Sequence, residues 1–223
     1  MVTITTSEAI DLVRKNLEEL DTNSSQMFGD ENYDNTALDA IIARTLPEAI
    51  NAVHLAAPVA LLEGKAATLA SGTSVSQDGE LSFSLASGSK YIRLVAFRAA
   101  DSGIVVTDTI AEASPEGRKQ LNKYVRGRYD RPRLVLLQGR HTEPAFKYYT
   151  LARPTSYTSN PASAISLFTY IEEQIYSASA TGYDVSRRLR QNAIDCLTAM
   201  VMETYSDQRA QSYYQKANIF PTI

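Results

Sequence analysis

The residues with the clearest chemical potential lie close together in one polar stretch. Arg118, Lys119, Lys123, Arg126, Arg128, Arg131 and Arg133 fall within sixteen positions, interleaved with Tyr124 and Tyr129. Cations alternating with aromatics can hold phosphates and stack bases. The same residue types suit a protein interface, where the planar guanidinium pairs carboxylates in two-point contacts. A plain solvated loop has this composition too. Against nucleic acid stand an overall pI of about 5.5 and the lack of any surrounding nucleic-acid-binding signature.

Other chemistry finds little support. There are two histidines, His54 in an apolar helical pattern and His141 in a basic turn, and Cys196 is the single cysteine. His54 reads as a core or interface residue and His141 as a loop-tip residue. No His/Cys/carboxylate spacing matches a zinc or iron site. No Gly-rich phosphate-binding motif follows a strand. Ser186 and Ser206 have no base or orienting group near them in sequence, although a triad assembles in space. The expectation is no catalytic residue, no metal and no cofactor, and enzyme is the least supported class.

Composition sets the outer bounds. With 44% apolar and 21% charged residues, 223 residues can bury a real core. No apolar run is long enough for a membrane helix. The N-terminus lacks the basic start and apolar core of a secretory signal, and one cysteine excludes an internal disulfide framework, which fits a reducing cytoplasm. Thirteen Tyr and no Trp suit surfaces that are partly wet and partly buried against a partner. The net charge of −3 hides a polarised chain. Residues 1–50 hold ten acids and three bases, whereas residues 114–153 hold three acids and ten bases. Such a block is an ordinary solvated face, a phosphate-facing loop, or one half of a head-to-tail contact between identical copies.

The elements that position the basic stretch follow from periodicity. Thr5 and Glu8 have capping-box spacing, and Ile10, Val13, Leu17 and Leu20 continue a helix to about residue 20. Residues 21–35 read as an acidic loop. A second helix starts at Thr36, with a break expected near Thr45 or Leu46 because Pro47 lacks the amide hydrogen. Leu81, Phe83 and Leu85 alternate with polar residues as a half-buried strand, with a partner over residues 73–76 across an Asp78-Gly79 turn. Four strand-like runs follow at residues 91–97, 103–107, 133–137 and 145–149. Residues 162–176 are ambiguous between strand and short helix. Asp184 reads as the N-cap of a last long helix over residues 185–209, with residues 211–216 as its candidate extension. Pro221 ends any helix, leaving an extended tail that carries Ile219, Phe220 and Ile223.

The fold expected is therefore α+β, a helical bundle formed by N- and C-terminal helices with an inserted small antiparallel β unit. Its parts are N-terminal helices over residues 1–63 and the β unit with its Arg-rich connector over 64–152. A C-terminal helical region packing on the first helices spans 153–216, and the tail spans 217–223.

The succession of strand, Ser114-Pro115-Glu116 with Gln120, Asn122 and Tyr124, then Arg126-Gly127 and Arg131-Pro132 before the next strand resembles head–tail connector proteins of tailed bacteriophages. The likeness is to adaptor, ring or neck proteins of podovirus-like phages, crAss-like phages of Bacteroidota in particular, and covers residues 37–217. It implies a structural virion protein, made in the host cytoplasm and resident in the phage neck. Such a subunit sits in a dodecameric ring of its own copies between portal and tail, touches other neck proteins, and lines the DNA passage without membrane contact. On this chain the resemblance implies that Arg118, Lys123, Tyr124, Arg126, Arg128 and Arg131 face neighbouring subunits or the DNA channel. It implies that Ile219, Phe220 and Ile223 form the tail that docks on the portal. The alternative is a nucleic-acid-binding regulatory protein using the residue 118–133 loop.

Overall fold

A computed structural model describes residues 1–19, 35–122, 124–125, 133–137 and 144–217. The chain divides into two compact units, one built from Met1–Glu63 with Gln174–Ile223 and the other from Gly64–Glu173.

In the first unit, strand β1 (Val2–Thr5) leads straight into helix α1 (Thr6–Glu19). The expected cap is present: the Thr5 hydroxyl accepts a hydrogen bond from the Glu8 amide at 3.1 Å. Ala9, Val13 and Leu17, spaced by four, form the buried stripe of α1. Helix α2 (Asn35–Ala56) runs through Pro47 without the expected break. The proline removes one main-chain hydrogen bond, but Leu46, Ala49 and Ile50 around it are fully buried. Packing on both sides of the proline outweighs that local loss. A 3₁₀ turn (Val59–Leu61) follows.

The return of the chain departs most from expectation. Residues 184–185, read as the cap and start of the last helix, belong to strand β10 (Gly182–Val185), antiparallel to β1 with Val2 opposite Val185. Asp184 caps no helix; its carboxylate accepts from the Thr3 hydroxyl across the pair at 2.7 Å. After a 3₁₀ turn (Arg187–Leu189) comes helix α4 (Arg190–Thr204), which packs on α1 and α2 and buries Ala193, Ile194, Leu197 and Val201. The single long helix is split: Ser206 takes a left-handed φ of 57°, and helix α5 (Ala210–Lys216) then folds back against α4.

The second unit holds two sheets. One is ordered β2-β9-β5, from β2 (Lys65–Ala66), β9 (Ile165–Glu172) and β5 (Tyr91–Ala99). The other has the order β3-β4-β8-β7-β6, from β3 (Ser74–Val75), β4 (Leu81–Ser84), β8 (Ala145–Tyr148), β7 (Leu134–Leu136) and β6 (Thr109–Ala111). The hairpin of β3 and β4 turns at Gly79, whose φ of 81° suits glycine. Inward side chains of both sheets meet in an aromatic core. Phe83 stacks on Phe97 and Phe146, with centroids at 5.9 and 5.3 Å, and Phe168 meets all three rings edge-on or nearly so. Of the expected run at residues 103–107, only Val106 pairs, as an isolated bridge to Phe97. The strand itself lies at β6, parallel to β7.

These observations overturn the helical bundle with one small antiparallel β unit. The chain is mixed α and β, with five α-helices and ten strands in three sheets among the described residues. Two of the helices have only seven residues, and one sheet lies within the helical part itself. Neither sheet partner of residues 2–5 or 165–172 is nearby in sequence, so composition alone could not reveal them.

Candidate functional site

The basic stretch begins on a helix where the sequence suggested only a polar connector. Helix α3 (Pro115–Leu121) carries a complete start signal: Ser114 as N-cap, Pro115 in the first turn, then Glu116. The Ser114 hydroxyl donates to the Ala111 carbonyl at 2.6 Å and accepts from the Gly117 amide at 3.0 Å. This fastens the helix to the end of β6. Gly117 permits the fit, since a Cβ there would lie 2.2 Å from the Ala111 carbonyl oxygen. The triplet Ser-Pro-Glu was the signal that could have revealed the helix.

Rigid placement of α3 aims its outer face at solvent. Arg118 and Lys119 are exposed, while Gln120 is buried. Beyond the helix, Asn122 builds a tight turn, accepting the Tyr124 amide on its side chain and the Val125 amide on its carbonyl, both at 3.0 Å. Tyr124 is left 86% exposed and Val125 59% exposed. Ala113, Pro115, Arg118, Lys119, Asn122 and Val125 surround a shallow depression of about 540 Å³. Two cations beside an apolar and aromatic tip can pair carboxylates or phosphates while covering apolar surface.

Of the residues singled out from sequence, Arg118 lines this depression and Tyr124 is exposed, lying in the chain between two of its lining residues, Asn122 and Val125. Lys123, Arg126, Arg128 and Arg131 lie outside the described residues, as do His141 and the tail residues Ile219, Phe220 and Ile223.

A second constellation was not legible in sequence. His54 on α2 and Ser186 after β10 are 132 positions apart and both fully buried. His54 Nε2 accepts the Ser186 amide at 3.1 Å and lies 3.3 Å from its hydroxyl. That hydroxyl in turn accepts the Glu63 amide at 3.0 Å. The ring is neutral, because burial lowers its pKa from 6.5 to about 4. A serine beside a histidine suggests a nucleophile and base, but here the Nε2 lone pair already serves a main-chain amide and the hydroxyl has no exposure. The pair ties the Glu63 end of the chain to α2. Cys196 is likewise an interior residue, its thiol pushed up to about 12, chiefly by burial.

Among the described residues, no three His, Cys, Asp or Glu side chains are grouped to hold a metal ion, and no helix is long and apolar enough to cross a membrane. No protein-family model, curated protein or solved structure matches the chain.

Proposed function

We propose that this protein is a structural virion subunit, one copy in a ring of the phage neck that joins portal to tail and surrounds the DNA passage. The observation that carries the reading is the α3 tip. Tyr124 and Val125 are exposed at an ordered turn, and Val125 lines one depression with Arg118 and Lys119. An apolar tip fixed in this way is costly to hydrate and gains by being covered, and Tyr with Arg is the composition of interface centres. The resemblance of residues 37–217 to connector proteins supports the same role. The neighbouring copy supplies the opposite charge, since the first fifty residues carry ten acids against three bases. The work of such a subunit is mechanical. It joins two assemblies around a channel whose wall must hold DNA weakly enough to let it pass.

Native mass spectrometry of the protein, alone and mixed with a candidate portal, tests this. A closed ring is expected in at least one sample, and Tyr124→Ala with Arg118→Glu should abolish it. The same double change should alter folding stability by no more than about 0.5 kcal/mol, as for exposed positions generally. Monomers in every mixture, together with salt-dependent DNA binding that weakens in the double variant, would overturn the ring and favour a nucleic-acid-binding regulator.

A further inference from the structure

Helix α5 depends on one neighbour. It packs chiefly on α4, the helix just before it in the chain, and both belong to the first unit. Ala210, Tyr213 and Tyr214 are its buried side. The Tyr214 hydroxyl donates to the Glu203 carboxylate at 2.5 Å, and the Asn192 side chain on α4 donates to the Ala217 carbonyl at 3.3 Å. Between the two helices the chain reverses at Ser206. Its amide donates to the Glu203 carbonyl at 2.9 Å, and the Asp207 amide donates to the Met202 carbonyl at 3.0 Å. Helix ends bonded in this way usually carry glycine in the left-handed position. Here serine holds it at φ 57°, the one non-glycine residue with such a φ among the described residues.

Nothing in the covalent chain compels that reversal. Residues 190–216 contain neither glycine nor proline, and the Cβ of a serine is crowded in the left-handed conformation. Asn192, Cys196, Ala199 and Glu203 on α4 are spaced by four, three and four. Ala210 and Tyr213 on α5 and Ala217 at its end continue by three and four, and Ser206 falls in step between the two sets. A continuous helix would carry them as one unbroken seam of the kind that pairs helices. At 3.6 residues per turn, that seam lies across the helix from the buried Ile194, Leu197 and Val201. Straightening at Ser206 therefore leaves that side of α4 as it is.

We propose that α5 is an exchangeable arm: in a pair of copies the turn at Ser206 straightens, and α5 of each copy seats on the Asn192–Glu203 face of α4 in the other. The occupant is set by chemistry, since the second copy's α5 brings the same alanines, tyrosines and hydroxyl that cover this face within one chain. Exchange keeps the α4–α5 contacts, relieves the left-handed serine, and closes with two-fold symmetry. Relief at two hinges works against the entropy lost on association, so pairing grows with protein concentration. The inference does not rest on the neck ring, because two copies suffice.

Ser206 is exposed, so its substitution leaves the interior intact. Native mass spectrometry across protein concentrations should show monomer and dimer. Ser206→Gly suits the turn and disfavours the long helix, and should weaken the dimer at least about tenfold, because each dimer holds two straightened hinges. Ser206→Ala favours the helix and should strengthen the dimer. Hydrogen exchange at residues 206–209 should be slower in the dimer than in the monomer, as helix replaces turn. Monomer alone in all three proteins at every concentration would overturn the exchange. So would a dimer equally stable in all three, or one whose residues 206–209 exchange as fast as the monomer's. A closed ring equally populated by all three overturns it too, and leaves the neck reading standing.

Discussion

The two units build their interiors from different materials. The three described polar side chains with no exposure at all, His54, Ser186 and Thr198, belong to the helical unit. Each is hydrogen-bonded: His54 with Ser186, and Thr198 donating to the Ile194 carbonyl at 2.9 Å while accepting from Asn16 at 3.1 Å. The sheet unit is centred instead on Phe83, Phe97, Phe146 and Phe168, with Tyr148 and Tyr170 at their edges. A core of rings is held by volume and contact, which are indifferent to pH. A core with a neutral histidine depends on direction and protonation. The difference predicts two units that fail under different stresses.

The largest effect should come from the aromatic core. Phe97→Ala removes a fully buried ring that stacks on Phe83 and meets Tyr148 at 5.1 Å. The expected loss is about 3–5 kcal/mol, seen as faster hydrogen exchange across β4, β5, β8 and β9 at all pH values. A loss below about 1 kcal/mol would show that this interior is not close-packed.

Next is the pH response of the helical unit. His54 is neutral when folded and its pKa is lowered to about 4, so the unfolded chain binds its proton first. The stability tied to neutral His54 is complete above the unfolded value of 6.5, falls as pH drops from 6.5, and is gone below about 4. The amount at stake is roughly 3 kcal/mol, from the size of the shift. His54→Leu should flatten that slope in acid unfolding curves. It should also cost about 1–3 kcal/mol at neutral pH, because the buried Ser186 amide loses its acceptor. A slope unchanged in the variant would assign acid sensitivity to other groups.

Smaller still is the α3 cap. Ser114→Ala removes the hydroxyl that joins α3 to β6 and should cost about 1 kcal/mol. The loss should be confined to exchange at residues 115–121, and ring formation should weaken with it if α3 presents the interface.

The smallest effect belongs to the ion pair of Glu80 and Lys147, at 2.8 Å with both side chains more than a quarter exposed. Glu80 raises the lysine pKa above 10.5. Its contribution is therefore present below pH 10.5 and is lost as pH rises through the folded value. Glu80→Gln should cost under about 1 kcal/mol and reduce the alkaline slope of the sheet unit alone.

How much of this was legible in the chain depended on distance along it. The Thr5–Glu8 cap and the β3–β4 hairpin rest on side chains a few positions apart, and the structure contains both. Of the expected α1 stripe, Val13 and Leu17 are buried with Ala9, Ile10 is half-buried, and Leu20 lies outside the described residues. At the candidate site, the density of arginine and tyrosine was plain. Exposure of Tyr124 was not, because the Asn122 turn and the fit of Gly117 against β6 decide it. The start of α3 was written in Ser114-Pro115-Glu116 but masked by the polarity that follows.

By itself, then, the sequence determined some pieces whose stability is local: the period-two strand at residues 81–84, the Thr5 cap of α1 and the Asp78-Gly79 turn. Tertiary structure decided which of those pieces pair. It joined Val2 to Val185 and His54 to Ser186, carried α2 through Pro47, and divided the last helix at Ser206. In each case a contact over many positions, or the packing around one residue, outweighed the local preference. That energy comes from buried surface and satisfied hydrogen bonds, and it exists only once distant segments meet.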